Sequence, residues 1–146
     1  MKDLSLGEYR ALAEFRYQIR RFLHFSEEQV RSTGLEPQQH QLLLAIQGLP
    51  AGATATVGEL SARLQLKHHS VVELINRLEK HGHVVRAESQ QDRRQVIVRL
   101  TASGSKVLRK LSVAHHQELE TAGPALAAAL RSIAKQHRMR ARRHAA

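Results

Sequence analysis

Two clusters of side chains in the middle of the chain have the chemistry to contact nucleic acid. The first cluster occupies the beginning and one face of a helix-like segment and comprises Lys67, His68, His69, Ser70, Val72, Glu73 and Arg77. The second is the short run Asp92, Arg93 and Arg94. Cationic, hydroxyl and carboxylate groups bind phosphates and base edges by charge and hydrogen bonds, and apolar groups contact the thymine methyl. The two clusters therefore predict contacts with a duplex.

The first cluster faces outward because its segment has an inward apolar stripe. Within HHSVVELINRLEKHG the apolar side chains recur at helical spacing, at Val71, Leu74, Ile75 and Leu78. The opposite face then carries His69, Val72, Glu73, Asn76 and Lys80. A major groove about 12 Å wide admits such a helix, and its N-terminal residues reach deepest. A solvated helix face explains the same spacing, so position in the fold must decide between them.

The second cluster lies between two segments with a period of two residues. VVRAE and QVIVRL are β-type runs, and SQQDRR between them predicts a hairpin with a basic tip. An acid beside two arginines can hold one guanidinium in a fixed direction while its charge stays available for phosphate or a narrow minor groove. The alternative is an ordinary solvated loop.

The elements before the hairpin are predicted to be four helices. The first is amphipathic from Leu6 to about Val30, and the second begins at Pro37 and ends near Gly48. Thr56 and Glu59 form a capping box at the third, and after a pause at Gln65-Leu66 the chain continues into the fourth. Two helices joined this tightly predict a helix-turn-helix.

The elements after the hairpin are predicted to be two helices. Thr101 caps the first of them, Gly123-Pro124 interrupts it, and Pro124 begins an Ala-rich last helix that continues into a basic tail. The terminal helices carry apolar stripes that the small centre cannot cover. A second copy of the chain is the simplest cover, so a homodimer is expected.

Composition favours a folded protein with a polyanionic partner. The 146 residues are 42% apolar and fit one domain, and 23 Lys and Arg against 13 Asp and Glu give a net charge of +10. Nucleic acid is the partner that this charge favours most, and a membrane surface is the second. The absence of cysteine excludes disulfides and thiolate chemistry. Because the start MKDLSLGEYR lacks a signal-peptide core and no run of about 20 apolar residues occurs, we expect a cytoplasmic protein outside the membrane.

The segment LSARLQLKHHSVVELINRLEKHGHVVRAESQQDRRQVIVRLTASG resembles the MarR family of winged helix-turn-helix transcription regulators. The motif residues are Leu78, Glu79, Lys80 and Gly82 at the end of the fourth helix, Asp92 and Arg94 in the wing, and Leu100, Thr101 and Gly104 at the next helix start. The resemblance implies a mainly α fold with a small β-hairpin. It also implies a single domain, 1–146, with a DNA-binding lobe at 37–100 and dimerisation helices at 1–36 and 101–146.

The function implied by this resemblance is that of a sequence-specific regulator. A homodimer would bind double-stranded DNA at a pseudo-palindromic operator as a repressor relieved by a small ligand, with Arg94 in the minor groove steered by Asp92. Lys67 departs from the family, which usually has a small hydroxyl residue capping this helix. The family's ligand site suggests an effector pocket at Phe15, His40, Leu44 and His115, although these are also ordinary core or surface residues.

Other functions fit the sequence less well. Ten histidines suggest a zinc-responsive regulator, but the adjacent His115 and His116 point apart on a helix and no ligand set is visible, leaving His40, Glu27 and Glu28 as the best contributors. We therefore expect no metal site and no cofactor. No catalytic motif occurs, so an enzyme is not expected. A non-specific basic DNA-compacting protein remains the alternative from another class.

Overall fold

The computed structural model describes residues 3–145, and the side-chain surroundings of residues 3–142. In chain order the elements are α1 (Leu6–Ser32), α2 (Pro37–Gln47), α3 (Val57–Leu64), α4 (His68–Lys80), β1 (Val84–Glu88), β2 (Val96–Leu100) and α5 (Ala102–Ala145). The strands form one antiparallel hairpin, in register from Val84 opposite Leu100 to Glu88 opposite Val96. The predicted class, mainly α with a small hairpin, is confirmed.

The turn between α3 and α4 follows the predicted helix-turn-helix pattern. Thr56 Oγ1 accepts the Glu59 amide at 3.2 Å and caps α3, as predicted. The reciprocal half of the predicted capping box is wrong, because the Thr56 amide donates to the Thr54 carbonyl and the Glu59 carboxylate binds Arg63 Nε at 2.9 Å. Gln65 ends α3 in the left-handed conformation, with φ of 54°. That single residue turns the chain sharply enough to begin α4 three residues later.

Residues 29–112 form one of two compact units and hold an apolar core. The predicted inward stripe of α4 is confirmed, since Val71, Leu74, Ile75 and Leu78 are all buried. They pack with side chains of the neighbouring elements: Val30, Leu35, Leu42, Leu43, Leu60, Val84, Val98, Leu108 and Leu111. The Val98 amide of β2 also donates to the Ala55 carbonyl at 2.9 Å, which attaches the loop before α3 to the hairpin. The hairpin is thus held by this backbone hydrogen bond and by the packing of Val84 and Val98 in the core.

The described residues 3–28 and 113–145 form the other unit. His115 lies between Phe22 and Phe25, with ring centroids 5.9 Å from each, and its Nε2 is 2.6 Å from the Oγ of buried Ser26. Arg140 donates to the Glu8 carboxylate at 3.2 Å. These contacts pair α1 with α5 within this unit, at His115 in the first half of α5 and at Arg140 near its end.

The predicted helix break at Gly123-Pro124 is wrong, because α5 runs through Pro124 without ending. Proline removes the amide that would bond to the carbonyl of Glu120, four residues earlier, and its ring crowds that carbonyl. Pro124 and Glu120 are both exposed, so water can satisfy the free carbonyl. Ala-rich sequence follows the proline and favours helix. Local composition and exposure therefore outweigh the proline.

None of the helices in the described part of the chain is both long enough and apolar enough to cross a membrane.

Candidate nucleic-acid interface

The beginning of α4 is exposed and lacks a side-chain cap. Lys67 occupies the cap position with extended backbone, and its side chain makes no capping bond within the described residues. Its carbonyl accepts the amides of Ser70 and Val71 at 3.0 and 3.2 Å. A lysine cannot accept a bond from the free amides of the first turn, which leaves them open to water or an anion. α4 therefore begins without the side-chain cap that a small hydroxyl residue would supply.

The outer face of α4 presents most of the predicted contact residues. Lys67, His68, His69, Glu73 and Arg77 are exposed, whereas Ser70 and Val72 are half-buried. Glu73 and Arg77 form an ion pair on this face, with Arg77 Nη2 2.6 Å from Glu73 Oε1 and more than half of each side chain exposed. The pair orients both side chains along the helix surface.

The tip of the β1–β2 hairpin, which is the wing of the fold, is a turn built around one buried hydroxyl. Ser89 is 5% exposed, and its Oγ accepts the amides of Gln91 and Asp92 at 3.3 and 3.4 Å. The Gln95 amide donates to the Asp92 carbonyl, and the Ser89 amide donates to the Gln95 carbonyl. This network leaves the side chains of residues 90–94 exposed at the end of the hairpin. The loop is ordered by backbone bonds, so its arginines project from a defined base.

Asp92 acts on the backbone of Arg94 rather than on its guanidinium. Asp92 Oδ1 accepts the Arg94 amide at 3.0 Å, a local turn typical of aspartate. Within the described residues neither Arg93 nor Arg94 forms an ion pair. The expectation that the carboxylate holds a guanidinium is therefore corrected: Asp92 fixes where the Arg94 side chain begins and leaves its charge free.

Arg86 joins the hairpin to α4, and sequence reasoning missed it. Its Nη1 donates to Glu79 Oε1 at 2.7 Å, its Nη2 donates to Asn76 Oδ1 at 2.6 Å, and its backbone amide donates to Glu79 Oε2 at 3.2 Å. Asn76 lies exposed as expected, but its side-chain oxygen is occupied by the bond from Arg86. A signal did exist: Arg86 lies two residues from buried Val84, so the pleat puts its side chain on the inward face, where an arginine needs a partner.

A second joint ties the beginning of α5 to the turn after α4. Thr101 Oγ1 donates to the Gly82 carbonyl at 2.6 Å and accepts the Gly104 amide at 3.0 Å, while the Thr101 amide donates to the His83 carbonyl at 3.0 Å. Gly82 has a φ of +77°, which glycine adopts without strain. A Cβ on Gly104 would lie 2.0 Å from the His83 carbonyl oxygen. The motif residues Gly82, Thr101 and Gly104 therefore form one close-packed joint.

The four residues suggested for an effector pocket are divided between the two units. Phe15 and His115 belong to the unit formed by the chain ends, and both are half-buried. His40 and Leu44 belong to residues 29–112, where His40 is 3% exposed and Leu44 43% exposed. Across the described residues no cluster of three or more histidine or carboxylate groups could hold a metal ion.

Comparison with known proteins agrees with this geometry. The MarR family model matches residues 33–95, which contain α2, α3, α4 and most of the hairpin. The transcriptional activatory protein BadR of Rhodopseudomonas palustris is 32% identical over 97 residues, covering 66% of this chain and 55% of that protein. The regulator YfiV of Bacillus subtilis is 33% identical over 84 residues, covering 58% and 50%. The chain spans about half the length of these two curated relatives.

Among solved structures, AbsC, a MarR family transcriptional regulator from Streptomyces coelicolor, has the same fold. Its TM-score is 0.70 at 20% identity, over 84% of this chain and 82% of that one. A mutant MarR from E. coli complexed with operator DNA gives a TM-score of 0.58 at 23% identity, over 71% and 75%. Residues 33–95 therefore match the MarR family of transcription regulators, and the chain shares the winged-helix fold of solved members of that family.

Proposed function

We propose that this protein is a sequence-specific, DNA-binding transcription regulator that binds a pseudo-palindromic operator as a homodimer. One observation carries the proposal: an exposed polar helix face and a basic hairpin tip are joined by the bonds from Arg86 to Glu79 and Asn76. A helix and a hairpin held in fixed relation can read a major groove and the adjacent minor groove together. If the outer face of α4 were only a solvated surface, the fixed connection between α4 and the hairpin would remain unexplained.

The DNA contacts divide between base reading and positioning. We assign base contacts to the beginning of α4, namely exposed Lys67, His68 and His69 and half-buried Ser70, and to Val72 and Glu73 on the same face. Arg77 adds a cation near the backbone. Arg94 enters the minor groove and Arg93 meets phosphate, because both guanidinium groups are exposed and unpaired within the described residues.

The dimer forms through the chain ends. Large apolar side chains of the unit that contains them are exposed in the single chain: Leu4, Leu6, Tyr9, Leu12, Tyr17, Leu23, Val113, Leu119, Leu130 and Met139. So many exposed apolar groups on two helices are typical of an interaction surface, and a second copy with two-fold symmetry matches an inverted repeat. In this proposal residues 37–100 are the DNA-binding lobe, and 1–36 and 101–146 supply the dimerisation helices.

Repression relieved by a small ligand is the mode of action that we propose. Phe15, His40, Leu44 and His115 are the residues to test for the ligand, and a regulator of this kind works beside the chromosome in the cytoplasm. Known relatives include both a protein named as an activator and regulators solved with bound DNA. Those names describe the relatives and do not set the direction of regulation here.

Selection of genomic fragments by the full-length protein tests the function. We expect the bound fragments to share an inverted repeat, and purified protein to bind it as a dimer. Exchange of Val72 or Glu73 should change which operator variants bind best, by about 1 to 3 kcal/mol per altered contact. Lys80→Ala is the matched control at the far end of α4 and should weaken all sequences alike. Fragments without a shared sequence would instead support the non-specific DNA-compacting alternative.

A further inference from the structure

The last four turns of α5 carry a row of cations that the proposed operator contacts do not use. Arg131, Lys135, Arg138 and Arg142 recur at spacings of four, three and four residues. At 3.6 residues per turn they lie within about 60° of one another around the helix axis. We call these four residues the basic stripe. No Asp or Glu follows Glu120 in the chain, so the stripe has no acid on its own turns.

The basic stripe is free of partners within the described part of the chain. All four side chains are exposed, and none takes part in an ion pair there. Arg140 differs, because it lies on the opposite face and binds Glu8 with only 25% of its side chain exposed. The same helix therefore separates a paired inner arginine from four unpaired outer cations.

Helix stability does not explain the basic stripe. Cations favour a helix C-terminus through the macrodipole, but the effect is confined to the last turn. α5 ends at Ala145, so Arg131 lies more than three turns before it. Like charges three and four residues apart repel each other. A row that repels itself and faces solvent is suited to an external polyanion.

We infer that the basic stripe is a second DNA-binding surface, one that contacts the phosphate backbone of duplex DNA without reading bases. The stripe spans about 16 Å, at 1.5 Å per residue. Along the duplex axis that length covers about five base pairs at 3.4 Å each, so the stripe can reach several phosphates on the side that faces it. Three of its four cations are arginines, whose planar guanidinium binds phosphate with two parallel bonds. The inference takes duplex DNA as the partner from the proposed function and adds a surface outside α4 and the wing.

An anionic membrane fits this helix less well. A helix that lies on a bilayer needs a free apolar face beside its cations. Here the face opposite the basic stripe is occupied within its own unit, since Ala129 is 4% exposed and Ile133 and Gln136 are half-buried. The exposed apolar side chains Leu130 and Met139 lie on opposite sides of the stripe and so form no continuous apolar face to insert.

The test compares two variants that remove the same charge from the same unit. The stripe variant combines Arg131→Gln, Lys135→Gln, Arg138→Gln and Arg142→Gln. The control combines Arg10→Gln, Arg16→Gln, Arg20→Gln and Arg21→Gln, four exposed cations of α1 that are spread over about 140° around that helix instead of forming one row. Dimer state and thermal unfolding of both should match the parent. If the fourfold stripe variant fails to fold, Arg131→Gln with Arg138→Gln serves in its place.

Binding of the full-length proteins to a duplex of arbitrary sequence, about 40 base pairs long, is measured over a series of salt concentrations. Each lost phosphate contact flattens the slope of log K against log salt by about 0.9. We expect the stripe variant to flatten it by about 1.8 to 3.6 per protomer, for two to four contacts, and the control to match the parent. Equal slopes for parent and stripe variant overturn the inference, and so does an equal loss in both variants, which would reflect net charge alone.

Further measurements distinguish which DNA segment the basic stripe contacts. They also distinguish failure of this inference from failure of the proposed function. In the first measurement, operator fragments with and without long flanks show whether the stripe binds the operator's own flanks. In the second, capture of a second labelled duplex by protein already bound to an operator shows whether it binds a separate DNA segment. Stripe-dependent binding to phosphatidylserine vesicles with an unchanged DNA slope overturns the inference in favour of a membrane. Because the slope uses arbitrary sequence, a selection that recovers no operator would refute the proposed function alone.

Discussion

Gly104 is the position where a single added carbon has the most defined effect. It is the third residue of α5, and a Cβ there would lie 2.0 Å from the His83 carbonyl oxygen and 3.0 Å from its carbon. The carbonyl must move by more than 1 Å to reach ordinary contact near 3.4 Å. That same oxygen accepts the Thr101 amide, so the shift disturbs the joint between the hairpin and α5.

The magnitude of Gly104→Ala follows from three opposing contributions. Overpacking of a tight site costs about 1 to 3 kcal/mol. A weakened bond at Thr101 adds about 1 kcal/mol. Alanine in place of a helical glycine returns about 1 kcal/mol. We therefore expect the free energy of unfolding to fall by about 1 to 3 kcal/mol, measured by urea denaturation of the dimer at fixed protein concentration.

Gly123→Ala is the matched control, because Gly123 lies in the same helix and no described heavy atom lies within 4 Å of its added Cβ. Only the greater helix preference of alanine acts there, so the free energy of unfolding should rise by about 0.5 to 1 kcal/mol. The two substitutions are chemically identical and should have opposite signs. If both stabilise the protein, the close approach of His83 to Gly104 is wrong, and with it the account of the joint.

The remaining predictions concern the joint at Arg86, the wing and the first helix. Arg86→Gln should weaken operator binding, because a hairpin detached from α4 cannot place Arg94. In that background Arg94→Ala should cost much less binding than it does in the parent. Additive losses in a double-mutant cycle would contradict the joint between Arg86 and α4. Asp92→Ala should weaken binding although it removes an acid, whereas Asp92→Asn should retain binding because the amide oxygen can still accept the Arg94 amide; tighter binding by Asp92→Ala would show that charge dominates. The Ser5 amide and hydroxyl, with Arg140, lower the pKa of Glu8, so its stabilising effect is present at neutral pH and is lost as pH falls through that lowered value. Glu8→Gln should accordingly unfold more easily than the parent at neutral pH, and the difference should vanish in acid.

Periodicity was sufficient to predict the elements that position the candidate site. The inward stripe of α4 and the alternation in β1 and β2 depend on burial along one element, which a sequence pattern encodes directly. The break predicted at Pro124 failed for a different reason. Its cost depends on whether the freed carbonyl reaches water, and that exposure is a property of the folded unit.

Contacts between elements were harder to predict than the elements themselves. Nothing in the spacing of Asn76, Glu79 and Arg86 states that they meet, because the approach of β1 to α4 is set by the core beneath them. The run Asp92 to Arg94 had the opposite problem: its residue types allow a side-chain pair or a backbone turn, and the turn prevails in the structure. Residue identity predicted the chemistry, while the choice of partner required the fold.

An acid on the face of α4 that is proposed to read bases needs an energetic explanation, and the Glu73–Arg77 pair supplies one. Exposed pairs four residues apart stabilise a helix by only about 0.3 to 0.5 kcal/mol. At the proposed operator, Glu73 would therefore leave Arg77 at small cost and accept a bond from a cytosine amine, a contact that discriminates bases by about 1 to 3 kcal/mol. At a wrong base the pair would remain closed, and the carboxylate would not stand unpaired near phosphate. Arg77 released at the right base would then be free to turn toward the backbone, so the pair would favour the matched site twice.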